Sequence, residues 1–439
     1  MRTTTTRMLL TLFVLLGLTA QTAQARDNGF VRLFDGKTLN GWKLVGQTGA
    51  GYKAQDGILV CPPGESGNLF TTKEYSDFIF RFDFKLTEAA NNGVGIRAPY
   101  EGDAAYMGME IQILDDSAWR YANLQPWQYH GSIYGVVAAK RGAEKPWGQW
   151  NHEEIDALGR HIKVIVNGRT IVDANLNDVT DPQVLMAHPG MLRDRGHIGF
   201  LGHEPGEVDF RNIYVKDLSK PQRDNTPPPG FVALFDGKDL KGWKGLVADP
   251  PTRARMFPTE LAAAQKKADA EAFQHWNAQD GMIVYDGKNN NLCTVKDYGD
   301  FEMLVDWKIG PHGDSGIYLR GSPQVQIWDN PIGSGGLYNN EKNPSNPTHF
   351  ADRPIGEWNH FDILMIGDKV TVYLNGELVV QNVTMENYWE RNKPIYPTGQ
   401  IELQHHGDPL WFKNIYIREI PQYRHLTIQS SAVLPAKDD

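Results

Sequence analysis

Two short stretches carry polar side chains at a spacing that suits chemistry. In YMGMEIQILDD, Tyr106 to Asp116, Met109, Ile111 and Ile113 alternate with Glu110 and Gln112. In PQVQIWDN, Pro323 to Asn330, the rhythm returns with Gln324 and Gln326 in the polar places. Period-two alternation marks a half-buried strand, one face toward a core and the other outward. An outward carboxyl can exchange protons with a ligand, and an outward amide can donate and accept hydrogen bonds. Asp115 and Asp329 follow at matching positions, past a change in alternation. A third stretch, IELQHHG, turns Glu402, Gln404 and His406 away from Ile401 and Leu403, so the three share a face, while His405 points with the core residues. Arg97 in GVGIRAP ends the strand before Glu110, where a guanidinium could hold an oxyanion, and Arg320 repeats it. His203 follows GHIGFLG and is the repeat partner of His406.

These residues belong to one domain used twice. FVRLFDGKTLNGWK at Phe30 returns as FVALFDGKDLKGWK at Phe231. AQDGILV returns as AQDGMIV, NLFTTKEYSDF as NLCTVKDYGDF, GQWNH as GEWNH, and FRNIYVKDL as FKNIYIREI, all in the same order. The chain has 439 residues, and a single core rarely exceeds about 300 residues, which also favours two domains. The expected layout is a first domain over 28–218, a Pro-rich linker over 219–230, a second domain over 231–421 and a tail over 422–439. Each copy reads as short alternating strands. HIKVIVNGRTIV and KVTVYLNGELVV place Asn-Gly between two β-rich runs, a strong hairpin signal because both turn residues need positive φ. Evenly spaced strands with polar turns predict an all-β, two-sheet sandwich per copy. Only the second copy contains FPTELAAAQKKADAEAF, 257–273, which reads as an inserted surface helix, either docking the domains or decorating a loop.

Composition bounds the rest. Net charge is −9 with no basic clusters, which argues against nucleic acid and anionic membranes as partners. Aromatics reach 11%, including 12 Trp, as suits all-β cores and sugar-stacking surfaces. Residues 1–25 have the basic start, apolar run and AQA cleavage site of a signal peptide, so the expected location is secreted or periplasmic after cleavage near Ala25, with no membrane span. Cys61 and Cys293 read as small buried hydrophobes, a disulfide being the alternative, and two cysteines cannot build a thiolate zinc site.

The motifs LFDGK-L-GW, GEWN, DSGIYLRGSPQVQIWD, GSGGLYNN and GQIELQHHGDPLWFKNIYIRE resemble the 3-keto-disaccharide hydrolase domain family. The resemblance covers both copies. It implies a concanavalin A-like lectin/glucanase jelly roll in each, and activity on glycosides whose sugar is oxidised at C3. Common glycosidases flank the bond with two carboxyls, and neither the Glu110 strand nor the Gln324 strand offers a convincing pair. A 3-keto sugar needs other machinery. The ketone acidifies the C2 proton; removing it lets the C1 substituent leave, and water adds to the enone. That route requires a base near C2, an electrophile near the C3 oxygen and an acid at the leaving oxygen. A divalent metal ion is one candidate for the electrophile.

On this reading Glu110 is the acid/base, Gln112 a sugar contact and Arg97 an electrostatic stabiliser. His130 or His203 is a second proton carrier or metal ligand. His130 and Tyr134 lie in YHGSIYG, which resembles the family's loop over the site. The second copy offers Arg320, Gln324, Gln326, Asp329, Tyr338, Asn339 and Gln404 as carbohydrate contacts, with Glu402 and His406 as its acid/base pair. Trp328 and Trp389 have no matched partner and are the sugar-stacking candidates, core packing being the alternative. Arg97 and Arg320 are equally suited to structural ion pairs. The first copy, which keeps its carboxylate, is the first choice for chemistry. A non-catalytic tandem lectin-like module and an ordinary endo-glycanase are the rival functions.

Overall fold

The computed structural model describes residues 28–46, 51–64, 67–220, 223–288 and 290–421. The expected signal peptide and C-terminal tail lie outside the described residues.

Each half is a jelly-roll sandwich of a larger and a smaller antiparallel sheet. The smaller sheet of the first half contains β1 (Trp42–Val45), β2 (Asn68–Tyr75), β3 (Asn91–Ala98), β4 (Met109–Leu114) and β5 (Gly196–Gly202). Their order across the sheet is β1-β2-β5-β3-β4. The second half repeats this with β6 (Trp243–Gly245), β7 (Leu292–Thr294), β8 (Asp314–Leu319), β9 (Ser322–Trp328) and β10 (Glu402–Leu403), ordered β6-β7-β10-β8-β9. Strands β1 to β5 thus map onto β6 to β10. Each smaller sheet lies over an eight-stranded sheet.

Alternation explains the core. Phe78, Phe80, Phe82 and Phe84 of the larger sheet are fully buried, and Phe200 of β5 stacks on Phe210 at 4.0 Å. The second core uses Trp276 stacked on Tyr285 at 4.2 Å, and Trp307 against Phe361. The two Asn-Gly dipeptides are hairpin turns, with positive φ at Asn167, Gly168, Asn375 and Gly376. Cys61 and Cys293 are both buried thiols, in separate halves. No helix among the described residues is long and apolar enough to cross a membrane.

The segment particular to the second copy is longer than the expected 257–273: it begins near Asp249 and folds as helices Pro250–Arg255 and Pro258–Ala272. Asp249 caps the first, accepting from the backbone of Thr252 at 2.8 Å. The second lies on β6: a Cβ at Gly245 would fall 2.2 Å from the carbonyl of Ala268. The insertion therefore covers one end of its own smaller sheet. The contact between the halves is built elsewhere. Arg160 of the first half bonds Glu302 of the second, which also receives Arg418 at 2.6 Å. Arg193 donates to the carbonyl of Gly376, and Asn382 to that of Met186.

Candidate active site

Both candidate faces are the outer surfaces of the smaller sheets. In the first half, Glu110 and Gln112 turn outward from β4 while Ile111 and Ile113 enter the core. The segment Gly131–Tyr134 lies along β4, its backbone bonded to Gln112 and Glu110, and both side chains are buried. His203 Nε2 sits 3.2 Å from Glu110 Oε1. Burial disfavours charge on this ring, but the bond and attraction to Glu110 outweigh it, so the imidazole lies above its usual range. Gln112 donates to Asn91 at 2.7 Å, and the Tyr134 hydroxyl accepts from Gln128 at 3.2 Å.

In the second half the face is built differently. A cavity of about 650 Å³ opens on it, with Glu402 in its lining. Glu402 is 3% exposed and accepts from Asn291 at 3.2 Å, with Arg253 Nη2 3.9 Å away. Burial pushes this carboxyl up to about 7, and Arg253 and Asn291 offset part of the rise. Tyr318 pairs with Glu402 across the strands, and burial, then the Glu402 charge, raises its phenol. Trp389, 39% exposed, lines the cavity with its indole nitrogen fixed on the carbonyl of Gly321 at 2.7 Å. A chain of amides runs beside it. Gln324 donates to Gln404 at 3.1 Å and to Gln326 at 2.9 Å, and Gln326 donates to Asp314 at 2.7 Å. His406 Nδ1 stands 3.5 Å from Asp314.

The sequence matches the family described as the 3-keto-alpha-glucoside-1,2-lyase-like domain over residues 29–216 and again over 230–418. The chain belongs to this family. It is 23% identical to a 3-keto-disaccharide hydrolase of Bacteroides thetaiotaomicron over 269 residues, 47% of this chain and 85% of that protein. Two crystal structures of candidate glycosyl hydrolases from Parabacteroides distasonis are also similar. One is 23% identical, covering 44% of this chain and 95% of its own, with a TM-score of 0.39. The other is 28% identical, covering 41% and 100%, with a TM-score of 0.35. The family and the Bacteroides thetaiotaomicron relative point to glycoside hydrolysis with a carbohydrate substrate.

Several family-motif residues commit their polar groups to the scaffold. Arg97, expected as the oxyanion holder, is buried and donates to the carbonyls of Ser76 and Arg193. Arg320 likewise donates to the carbonyls of Gly299 and Gly367 and to Asp300. Both guanidiniums brace strand ends. His130, expected as a proton carrier, faces inward between Glu144 at 3.3 Å and Glu153 at 3.4 Å. Burial disfavours its charge, but the carboxyls of Glu144 and Glu153 prevail and push the imidazole up to about 9. Asp115 and Asp329 accept from loop backbone at Ala89 and His312. Trp328 is tied to the carbonyl of Gly333 and the carbonyl of Asn339 receives Arg391, whereas Tyr338, edge-on to Trp328, is exposed and its backbone bonds to Gln324 on β9.

Other residues were missed in the sequence. Tyr318, Asn291 and His405 line the cavity, as do Asp249 and Pro250 from the insertion. Tyr318 was findable, since it stands two residues before Arg320 where the first copy has Gly95. Among the described residues no three metal-ligating side chains converge.

Proposed function

We propose that the chain hydrolyses glycosides whose sugar carries a ketone at C3, at the second-domain cavity, in the secreted or periplasmic space. The observation that carries this is Glu402, a buried carboxyl poised near neutrality on the wall of a cavity large enough for a sugar. Family membership supplies the substrate class. A carboxyl near 7 can act as base and acid within one cycle. Ionised Glu402 takes the C2 proton, and the electrons pass into the C2–C3 enolate. The enolate expels the aglycone from C1, forming C1=C2, and the leaving oxygen takes a proton from Glu402 or from His406 at the mouth. Water then adds at C1 and a proton returns to C2, releasing the free 3-keto sugar. The phenol of Tyr318, kept protonated and lining the same cavity, is the donor assigned to the developing oxyanion.

Purified protein should release 3-keto-glucose from 3-keto-glucosides and leave the matched unoxidised glucosides intact. Absence of release across a panel of such glycosides, with and without divalent metals, would sink the proposal. A second reading places the chemistry in the first domain, and it rests on the contact between Glu110 and His203. Glu110→Gln and Glu402→Gln, assayed separately, decide between them.

A further inference from the structure

Strand β10 and the residues flanking it carry three amide or carboxyl groups that line cavities, Gln400, Glu402 and Gln404. Alternate residues on a strand stand about 7 Å apart, so this row is long enough to span two sugar rings. Glu402 and Gln404 line the cavity already described, whereas Gln400 lines a second one of about 550 Å³. The two cavities share Pro250. Arg253 lines the second cavity and reaches toward Glu402 of the first, so the boundary between them runs through this pair.

The second cavity is built to accept a ligand. Gln400 is 7% exposed, and its Oε1 has no hydrogen-bond partner among the described residues. A buried carbonyl oxygen without a donor carries a real cost, and a ligand hydroxyl would remove it. Tyr396 and Pro397 offer apolar surface opposite Lys244 and Thr398, the mixed lining that suits a sugar ring. In the first domain His197 stands in place of Gln400, and its ring stacks on Tyr100 at 3.8 Å.

We infer that the Gln400 cavity is a second sugar subsite, holding the leaving sugar of a disaccharide whose oxidised ring occupies the Glu402 cavity. The scissile bond then crosses the boundary at Arg253 and Glu402, where the proton must be delivered. Arg253 comes from the insertion that only the second copy carries, so the insertion creates the partition. This inference rests on the function proposed above.

The test compares a 3-keto-disaccharide with methyl 3-keto-glucoside, in the full chain and in Gln400→Met, which keeps side-chain length and removes the acceptor. The disaccharide should be preferred in kcat/KM at least tenfold, and Gln400→Met should erase most of that preference while leaving the methyl glycoside within twofold. Equal losses on both substrates, or none on either, would overturn the subsite. If neither substrate is turned over, the functional reading fails and the subsite is judged by calorimetry with maltose, cellobiose and trehalose. At least one must bind several-fold more weakly to Gln400→Met; unchanged or undetectable binding to all three overturns the subsite as well.

Discussion

The same lattice point in the two smaller sheets holds opposite chemistry. Where β2, β5 and β3 lie side by side, the first copy has Phe70, Gly199 and Gly95. The second copy has Cys293, Glu402 and Tyr318. The large side chain has changed strands. A Cβ at Gly199 would lie 2.4 Å from the ring of Phe70, so that ring fills the space an acid would need. In the second copy the small Cys293 leaves that space to Glu402. Its own thiol, pushed up to about 12 by burial and then by the Glu402 charge, is not a competing nucleophile. Meanwhile the first copy keeps its carboxylate at Glu110 on β4, where the second has Gln324. Glu110 and Glu402 are thus buried, outward-facing acids on different strands of their sheets.

The sharpest way to break this contrast is to neutralise each acid alone. Glu402→Gln should lower kcat by about 10²–10⁴-fold, the usual worth of a positioned proton carrier. Glu110→Gln should cost less than about threefold; the reverse ranking would move the chemistry to the first domain. The pH dependence follows from the same group. As the base must be ionised, kcat/KM should rise through about pH 7, and that limb should vanish in Glu402→Gln.

Stability supplies a test free of turnover. Glu402 has a folded pKa near 7, against about 4.3 in an unfolded chain. A raised carboxyl contributes stability that is present below the unfolded value and is lost as pH rises through the folded value. Glu402→Gln should therefore match the parent protein near pH 4 and exceed it by about 3–4 kcal/mol at pH 8, from 1.36 kcal/mol per pKa unit. Denaturant titration at both pH values reads this directly.

Grafting probes the steric half of the contrast. Gly199→Glu in the first copy should cost about 1–3 kcal/mol by overpacking against Phe70. Adding Phe70→Cys should recover part of that, giving a coupling of about 1 kcal/mol in a double-mutant cycle. Additive costs would show that Phe70 is not what excludes the acid. A smaller effect is expected from Trp389→Ala, which should raise KM roughly fivefold, near the ~1 kcal/mol worth of an aromatic contact, with kcat little changed.

Much of this was legible in the sequence. The repeats gave two domains, alternation gave two-sheet sandwiches, and the Asn-Gly pairs gave their hairpins, because each is a local signal with one physical cause. Alternation also put Glu110, Gln112, Glu402 and Gln404 on outward faces. It failed where orientation is set by what lies opposite. Arg97 and Arg320 sit at strand ends with positive φ, which takes them out of the alternating pattern. His130 lies in a loop, where no period predicts direction, and Glu153 of the larger sheet draws it inward. Tyr318 and Glu402 come together only through pairing between distant strands, and the insertion's part in the cavity depends on packing that no helical period reveals.

The shared charge cluster between the halves bears on how such a chain evolves. Glu302 is wholly buried and held by Arg160 from one copy and Arg418 from the other. Leaving a buried charge with one partner removed costs about 3–5 kcal/mol. Loss of the first copy would take Arg160 from Glu302, which ties the second copy to its sibling. The pair was then free to diverge in chemistry while inherited as a unit. Halves cut at the linker should accordingly be poorly soluble apart and reassociate when expressed together.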